Sequence, residues 1–302
     1  MFLFEYDDTK HFRDLLVALK VVADENPVMF KLGPEGLAAR QFDMAQQTMF
    51  DFSLPSSAFN KWNIEQDREI VVDLDLLLKA LKTGKDEPLS VNLDNDKLII
   101  VLTGSVTKKK TVPLPWCEDT TLPDRPIWPI KSKAGILTNT LLEALKDAET
   151  IEKDGDPAWV KIEINTDSLK ISAVGDNGSS FNTYENGADD LISLTAEEPC
   201  TSHYKTSMLM KLVKACKTLS KVTNISISTN LPATIEPELA LGKLSYLLVP
   251  YFKESPTTSE AEEKSYEEEV TGVSDPSSEP EVEEPPPQDG PDIDMLRRTL
   301  NL

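Results

Sequence analysis

The sequence predicts an α+β protein of two similar halves, with helices carried on one face of antiparallel sheets. Three observations predict it. A short amphipathic block recurs at residues 15–20 (LLVALK), 77–82 (LLKALK), 141–146 (LLEALK) and 209–214 (LMKLVK), with starts 62, 64 and 68 residues apart. A unit of about sixty residues has therefore been used four times, and such repetition governs how the rest is read. Each block is followed by stretches that alternate apolar and polar residues across Gly, Asn or Asp turns, the pattern of antiparallel hairpins. Finally, a Pro-rich acidic stretch, CEDTTLPDRPIWP, separates the first two units from the last two.

The elements follow in order. Residues 9–22 read as a helix with Leu15, Leu16, Leu19 and Val22 inward and Lys10, Arg13 and Lys20 on an outer face. Phe30 and Leu32 alternate into a turn at residues 33–36 (GPEG), and Leu37 and Ala39 return from it. A strand through residues 49–54 stops at Pro55-Ser56-Ser57, and residues 62–74 lead to a second helix expected from Asp75 to Thr83, ended by Gly84. A hairpin follows, with Leu89, Val91 and Leu93 facing Leu98, Ile100 and Leu102 across Asp94-Asn95-Asp96, and Lys108 opens a further strand to Leu114. The second half repeats the plan. It gives a helix over 138–149, a hairpin of 159–164 with 169–173, and strands at 180–184 and 191–194. A helix over 207–219 follows, capped by Ser207, and then strands at 225–228 and 243–249. The expected organisation is a first domain at 1–116, a connector at 117–130, a second domain at 131–252, and a tail at 253–302.

With 302 residues the chain can bury more than one core. No apolar run approaches the roughly 18 residues of a membrane span, and the start MFLFEYDDTK has no basic signal-peptide region. Cys117, Cys200 and Cys216 suit a reducing compartment. A cytoplasmic, nucleoid-associated location is expected. The net charge of −21 is unevenly placed: from Glu254 onward there are 15 acidic and 3 basic residues, so −12 lies there and −9 remains for the rest. With seven prolines besides, that tail is expected to be disordered.

The helices run against the overall charge. Residues 9–22 and 75–85 each carry +2, residues 207–221 carry +4, and only 138–149 is acidic, at −2 with Lys146 its single base. A solvated lysine face is common on any one helix. Three repeat-related basic helices in an acidic chain instead point to a polyanion held on that face alone. No aromatic residues are interleaved with the lysines, which argues against stacking on single strands and for sequence-independent contacts to duplex phosphates.

At this point the residues resemble a family. The repeated helix–hairpin units, the segments LPSSAFNKWNI (54–64) and VDLDLLLKALKTGK (72–85), and the closing KLSYLLVPY (243–251) are similar to sliding clamps of the proliferating-cell nuclear antigen (PCNA) type, in its archaeal form. The resemblance covers about residues 1–252 and rests on the order of these segments. It implies a processivity factor: a ring of three subunits that encircles duplex DNA, helices inside and sheets outside, and tethers replication and repair enzymes. The DNA-facing residues would be Lys10, Arg13, Lys20, Lys79, Lys82, Lys146, Lys211, Lys214 and Lys217. Subunits would join edge to edge through Lys108, Lys109, Lys110, Val112 and Leu114 on one strand and Ser180, Phe181 and Tyr184 on another. The lysine run would then meet acids such as Glu185.

The resemblance also implies a pocket for short peptide motifs of a DNA polymerase, a clamp loader, a flap endonuclease and a DNA ligase. Its residues would be Phe42, Gln46, Gln47 and Met49, then Leu122, Pro126 and Ile127 along the connector, then Pro232, Leu247, Leu248, Val249 and Pro250. Val249 stands where the family often has Ala, which would narrow the entrance. The tail departs from the family, whose members usually stop soon after the position of Pro250.

Other classes fit less well. Asp73, Asp75, Asp94 and Asp96 fall at helix-entry and turn positions where Asp is expected anyway. His11 and His203 lack a second ligand at zinc-like spacing, and there is no phosphate-cradling Gly loop or nucleophile elbow. No enzyme activity, metal or cofactor is expected. A checkpoint-type clamp, one subunit of a heterotrimer and a scaffold that never encircles DNA remain as alternatives.

Overall fold

In the computed structural model of the chain, residues 2–82, 87–115, 122–151, 158–175 and 178–251 are described. The tail expected at 253–302 lies outside them, as do Gly84 and most of the first part of the expected connector. The first half runs β1 (Phe2–Tyr6), α1 (Thr9–Ala23), β2 (Val28–Gly33), β3 (Gly36–Phe42), β4 (Thr48–Pro55), β5 (Lys61–Trp62), β6 (Arg68–Val72), α2 (Leu74–Leu81), β7 (Leu89–Asp94), β8 (Lys97–Thr103) and β9 (Thr107–Pro113). The second half runs β10 (Ser132–Leu137), α3 (Thr138–Glu149), β11 (Trp159–Ile164), β12 (Ser168–Gly175), β13 (Gly178–Glu185), β14 (Leu191–Ala196), β15 (Cys200–Lys205), α4 (Thr206–Leu219), β16 (Val222–Ile227), β17 (Ala233–Pro237) and β18 (Lys243–Leu248).

The helices form where the stripes predicted them, but two starts differ. Helix α2 starts at Leu74, one residue before the expected Asp75, behind an Asp73 cap whose Oδ1 accepts from the Leu76 N–H at 3.1 Å, and it ends at Leu81. The expected Ser207 cap on α4 is wrong: the helix starts at Thr206 and makes no side-chain cap. The reason is a junction repeated three times. Thr9, Thr138 and Thr206 are each the first residue of a helix, the last two entered directly from a strand and Thr9 separated from β1 by two residues, and all are buried. Their N–H groups donate to Glu87 O, Lys221 O and Ala158 O at 3.2, 2.8 and 2.9 Å. At Thr138 and Thr206 the bond to a neighbouring chain segment stands in for a side-chain cap, whereas α1 is capped as well by Asp8, whose Oδ1 accepts from the His11 N–H at 2.8 Å.

Among the described residues the strands form three sheets, ordered β5–β1–β7–β8–β9, β14–β10–β16–β17–β18–β4–β3–β2–β6, and β13–β12–β11–β15. All pairings are antiparallel. The β2–β3 turn needs glycine at Gly36, whose φ is +138° and where any Cβ would strike the Leu54 carbonyl. Several strands were not marked out in the sequence: β1, β5, β6, β10, β15 and β17. Residues 243–249 were expected simply to close the second domain. Instead β18 pairs with β17 on one side and with β4 of the first half on the other, in the register Lys243↔Ser53 to Leu248↔Thr48. The nine-stranded sheet therefore crosses both halves. Tyr246 reinforces the crossing, its hydroxyl donating to Ala18 O of α1 at 2.9 Å.

The core of the first half holds an aromatic cluster, with Phe59 set between Phe4 and Trp62 at ring separations of 4.9 and 4.4 Å. In the second half Cys200 and Cys216 are fully buried, and burial pushes the Cys216 thiol up to about 12. Because the thiolate is the reactive form, both cysteines should resist iodoacetamide in the native protein at pH 8 and react completely in denaturant. Peptide mass spectrometry checks this; native labelling of either thiol would contradict the packing.

Candidate nucleic-acid interface and partner site

Helix α1 packs against both α2 and α4, and α4 packs against α3, giving the row α2–α1–α4–α3. Each helix turns its Leu/Ala stripe to the sheets, so the exposed stripes of neighbouring helices adjoin. Lys10, Lys79, Lys82, Lys146, Lys211, Lys214 and Lys217 are exposed, and Arg13 and Lys20 are half-exposed. The geometry separates these nine residues by how far acids neutralise them. Asp14 lies 3.6 Å from both Lys10 Nζ and Arg13 Nη2, and Lys20 forms an ion pair with Asp75 across α1 and α2. Lys211, Lys214 and Lys217 on α4 have no ion pair among the described residues. Lys146 shares α3 with Glu143, Asp147 and Glu149. Among the described residues the unpaired positive charge thus sits on α4, with Lys79 and Lys82 at the α2 end, and it fades at the α3 end. The net charge of each helix already includes Asp14 and Asp75, and the i,i+4 spacing of Lys10 and Asp14 was legible. What a count by helix could not show is that Lys20 and Asp75 pair across two helices.

Strands β9 and β13 are outer strands of their sheets, and each leaves one row of backbone groups outside its sheet's ladder. Phe181 on β13 is 70% exposed, while Ser180 and Tyr184 face the other way and are half-buried. Burial first, and then Asp190, Asp147 and Glu143, raise the Tyr184 hydroxyl above its ordinary value. On β9 the alternation divides the expected interface set by facing. Val112 is 2% exposed and faces its own core, and Lys108 and Lys110 share that side of the strand, with Lys108 Nζ 3.7 Å from Glu87 Oε2. Lys109 is the member of the run that faces fully outward, and Leu114 is half-buried beyond the strand.

The residues expected to hold partner peptides come from three segments and Pro232, and hydrogen bonds bring the three segments together. The β3–β4 loop is organised by Asp43, whose carboxylate accepts from the N–H groups of Gln47 and Thr48 at 2.7 and 3.1 Å and from Thr48 Oγ1 at 2.7 Å. Gln46 takes a left-handed conformation there, at φ +53°. The closing segment is stitched to this loop, Val249 N–H donating to Gln47 O at 3.0 Å, and Leu247 pairs opposite Met49. The connector is fastened by Arg40, whose Nη1 donates to Pro123 O at 2.9 Å, and by Arg125, whose Nη1 reaches Asp51 Oδ2 at 3.0 Å.

Burial divides the twelve. Met49, Pro232, Leu247, Leu248 and Pro250 are buried; Phe42, Gln46, Leu122, Pro126 and Val249 are half-buried; Gln47 and Ile127 are exposed, Ile127 at 88%. The buried members shape the floor from below. The sequence reading passed over Met44, which is 86% exposed at the tip of the same loop. A large apolar side chain on a polar loop was the available signal.

No protein-family model matches the chain. Its sequence is nevertheless similar along nearly the whole length of archaeal proteins. The DNA polymerase sliding clamp of Thermofilum pendens is 28% identical over 252 residues, covering 83% of this chain and 99% of that one. The sliding clamp of Pyrococcus furiosus is 27% identical over 252 residues, covering 82% and 98%. Among solved structures, PCNA from Thermococcus kodakaraensis superposes with a TM-score of 0.75 at 21% identity, over 83% of this chain and all of that one. The fold is that of a PCNA-type sliding clamp. A second such structure, the PCNA2–PCNA3 complex of Sulfolobus tokodaii, gives a TM-score of 0.71 at 21% identity over 83% and 99%. The clamp fold matches a span about as long as the compact unit Met1–Tyr251. No helix among the described residues is long and apolar enough to cross a membrane.

Proposed function

We propose that this chain is a DNA polymerase sliding clamp. Copies of it close into a three-membered ring around duplex DNA, joined edge to edge through β9 and β13. The domains of each copy are 1–116 and 131–252, linked by the connector 117–130. Lysines of the helix row touch phosphates transiently without reading bases, and enzymes bound to the outer partner site cannot diffuse away from the template. Those enzymes are of the polymerase, flap endonuclease and ligase classes, engaged through short peptide motifs. The chain performs no catalysis itself, needs no cofactor, and works at the nucleoid. Ring opening requires a separate ATP-driven clamp loader.

The observation that carries this reading is the run of exposed α4 lysines, Lys211, Lys214 and Lys217, without ion pairs among the described residues, in a chain of net charge −21. The acidic excess of the rest of the chain disfavours a polyanion away from these lysines, so the helix face is where DNA is tolerated. A two-component PCNA assembly among the structural relatives supports one alternative, that this chain is a subunit of a mixed ring.

Static light scattering at several concentrations tests the assembly. Three copies of a 33.6 kDa chain give about 101 kDa. Retention on closed circular DNA, and its loss after linearisation, tests the encirclement. A monomer at every concentration would overturn the self-closing ring and direct the search to sister subunits.

A further inference from the structure

We propose that Asp51 is the positioning residue of the partner site, latching the connector to the sheet through Arg125 and Arg40. The inference rests on the clamp reading above and deepens it. Asp51 lies on β4 directly opposite Arg40 on β3. Its two oxygens serve different partners: Oδ1 accepts from Arg40 Nε at 2.9 Å, and Oδ2 accepts from Arg125 Nη1 at 3.0 Å. Arg40 turns a second nitrogen, Nη1, to the Pro123 carbonyl at 2.9 Å. One carboxylate thus organises two guanidinium groups, and together they grip the connector at two positions.

The grip matters because little else holds this stretch. Residues 122–131 belong to no helix, and only Lys131, at the β10 end, approaches a strand, so no backbone ladder sets their path. The far end is tied at Ser228, whose Oγ donates to Pro129 O at 2.7 Å and accepts from Lys131 N–H at 2.9 Å. Between the two ties run Pro126, Ile127 and Trp128, and Ile127 gains almost nothing from the core because it is 88% exposed. A strap fixed at both ends presents these residues without further ordering when a peptide binds, and that saving appears as slower dissociation. The Asp51 side chain is 17% exposed, against 25% for Arg40 and 32% for Arg125, so salt screens the latch less than a fully exposed surface pair.

The test uses the full chain and a fluorescein-labelled peptide carrying an aliphatic anchor and two adjacent aromatic residues. Asp51→Asn and Arg125→Gln should each weaken peptide binding about tenfold, through faster dissociation with the association rate unchanged. Arg125→Lys, which keeps the charge but not the fork, should recover part of the loss. Amide exchange across residues 122–128 should accelerate in parallel, while the assembled mass and melting temperature stay within error. Faster exchange with unchanged peptide affinity overturns the positioning role. Unchanged exchange overturns the latch. If the unsubstituted protein does not bind the peptide, the partner-site reading falls and the positioning role with it. The exchange rates would still report whether the connector is held, so the two failures are told apart.

Discussion

Replacing Lys211, Lys214 and Lys217 together by glutamate shortens the lifetime of the protein on closed circular DNA by more than about tenfold and flattens its dependence on salt. These three lysines on α4 are exposed and without ion pairs among the described residues, so their charge is fully available to phosphates. A ring of three copies would present nine of them. Each phosphate that is no longer neutralised lowers the slope of log affinity against log salt by about 0.9, so the slope directly measures what α4 contributes. The helix itself should survive, since its buried stripe of Leu209, Leu212, Val213 and Cys216 is untouched. Lys146→Glu is the contrasting control. On α3, already acidic through Glu143, Asp147 and Glu149, it should change retention less than about twofold. Equal retention by the triple variant and the unsubstituted protein would mean that DNA does not pass along the helix face.

Phe181→Asp converts an assembly of about 101 kDa into the 33.6 kDa chain at micromolar concentration. Phe181 is 70% exposed on the outer strand β13, so its loss costs the isolated chain little. Burial of a phenylalanine at an interface is worth about 1.5–3 kcal/mol, and a buried, unpaired carboxylate adds a penalty of its own. A closed ring of three has three such joints, so the effect repeats at each of them. Light scattering reads the mass, and circular dichroism and the melting transition establish that the monomer is still folded. Lys109→Glu on β9 should act in the same direction but more weakly, because an exposed charge contributes about 1 kcal/mol or less. A Phe181→Asp protein that keeps the full mass would remove β13 from the interface.

The two sites differ in how far the sequence revealed them. The helix face was legible because one local period places the Leu/Ala stripe inward and the lysines outward, whatever the helix packs on. Alternation likewise betrayed the hairpins around Gly33–Gly36 and Asp94–Asp96. It did not separate Lys108 and Lys110 from Lys109, since which side of β9 is inward depends on where Val112 finds its core. The junction threonines were also silent, because Thr206 starts α4 only by virtue of the Ala158 carbonyl, which is distant in sequence. Met44 could have been read as an unexplained apolar side chain on a polar loop, but Asp51 could not. Its significance lies wholly in Arg40 on the neighbouring strand and Arg125 more than seventy residues away.

By itself the sequence determined the α+β class, the four amphipathic helices, the hairpins that follow them, and the concentration of positive charge on helices in an acidic chain. These are consequences of periods of 3.6 and 2 residues and of turn chemistry, and all of them act over a few neighbours. Only the tertiary structure decided that β18 pairs with β4, that the helices stand in the order α2–α1–α4–α3, and that loop, connector and closing strand meet around Asp43 and Asp51. A strand's pattern says which face it buries but not which strand lies beside it. That choice is made by the packing of surfaces nearly two hundred residues apart, and no local period records it.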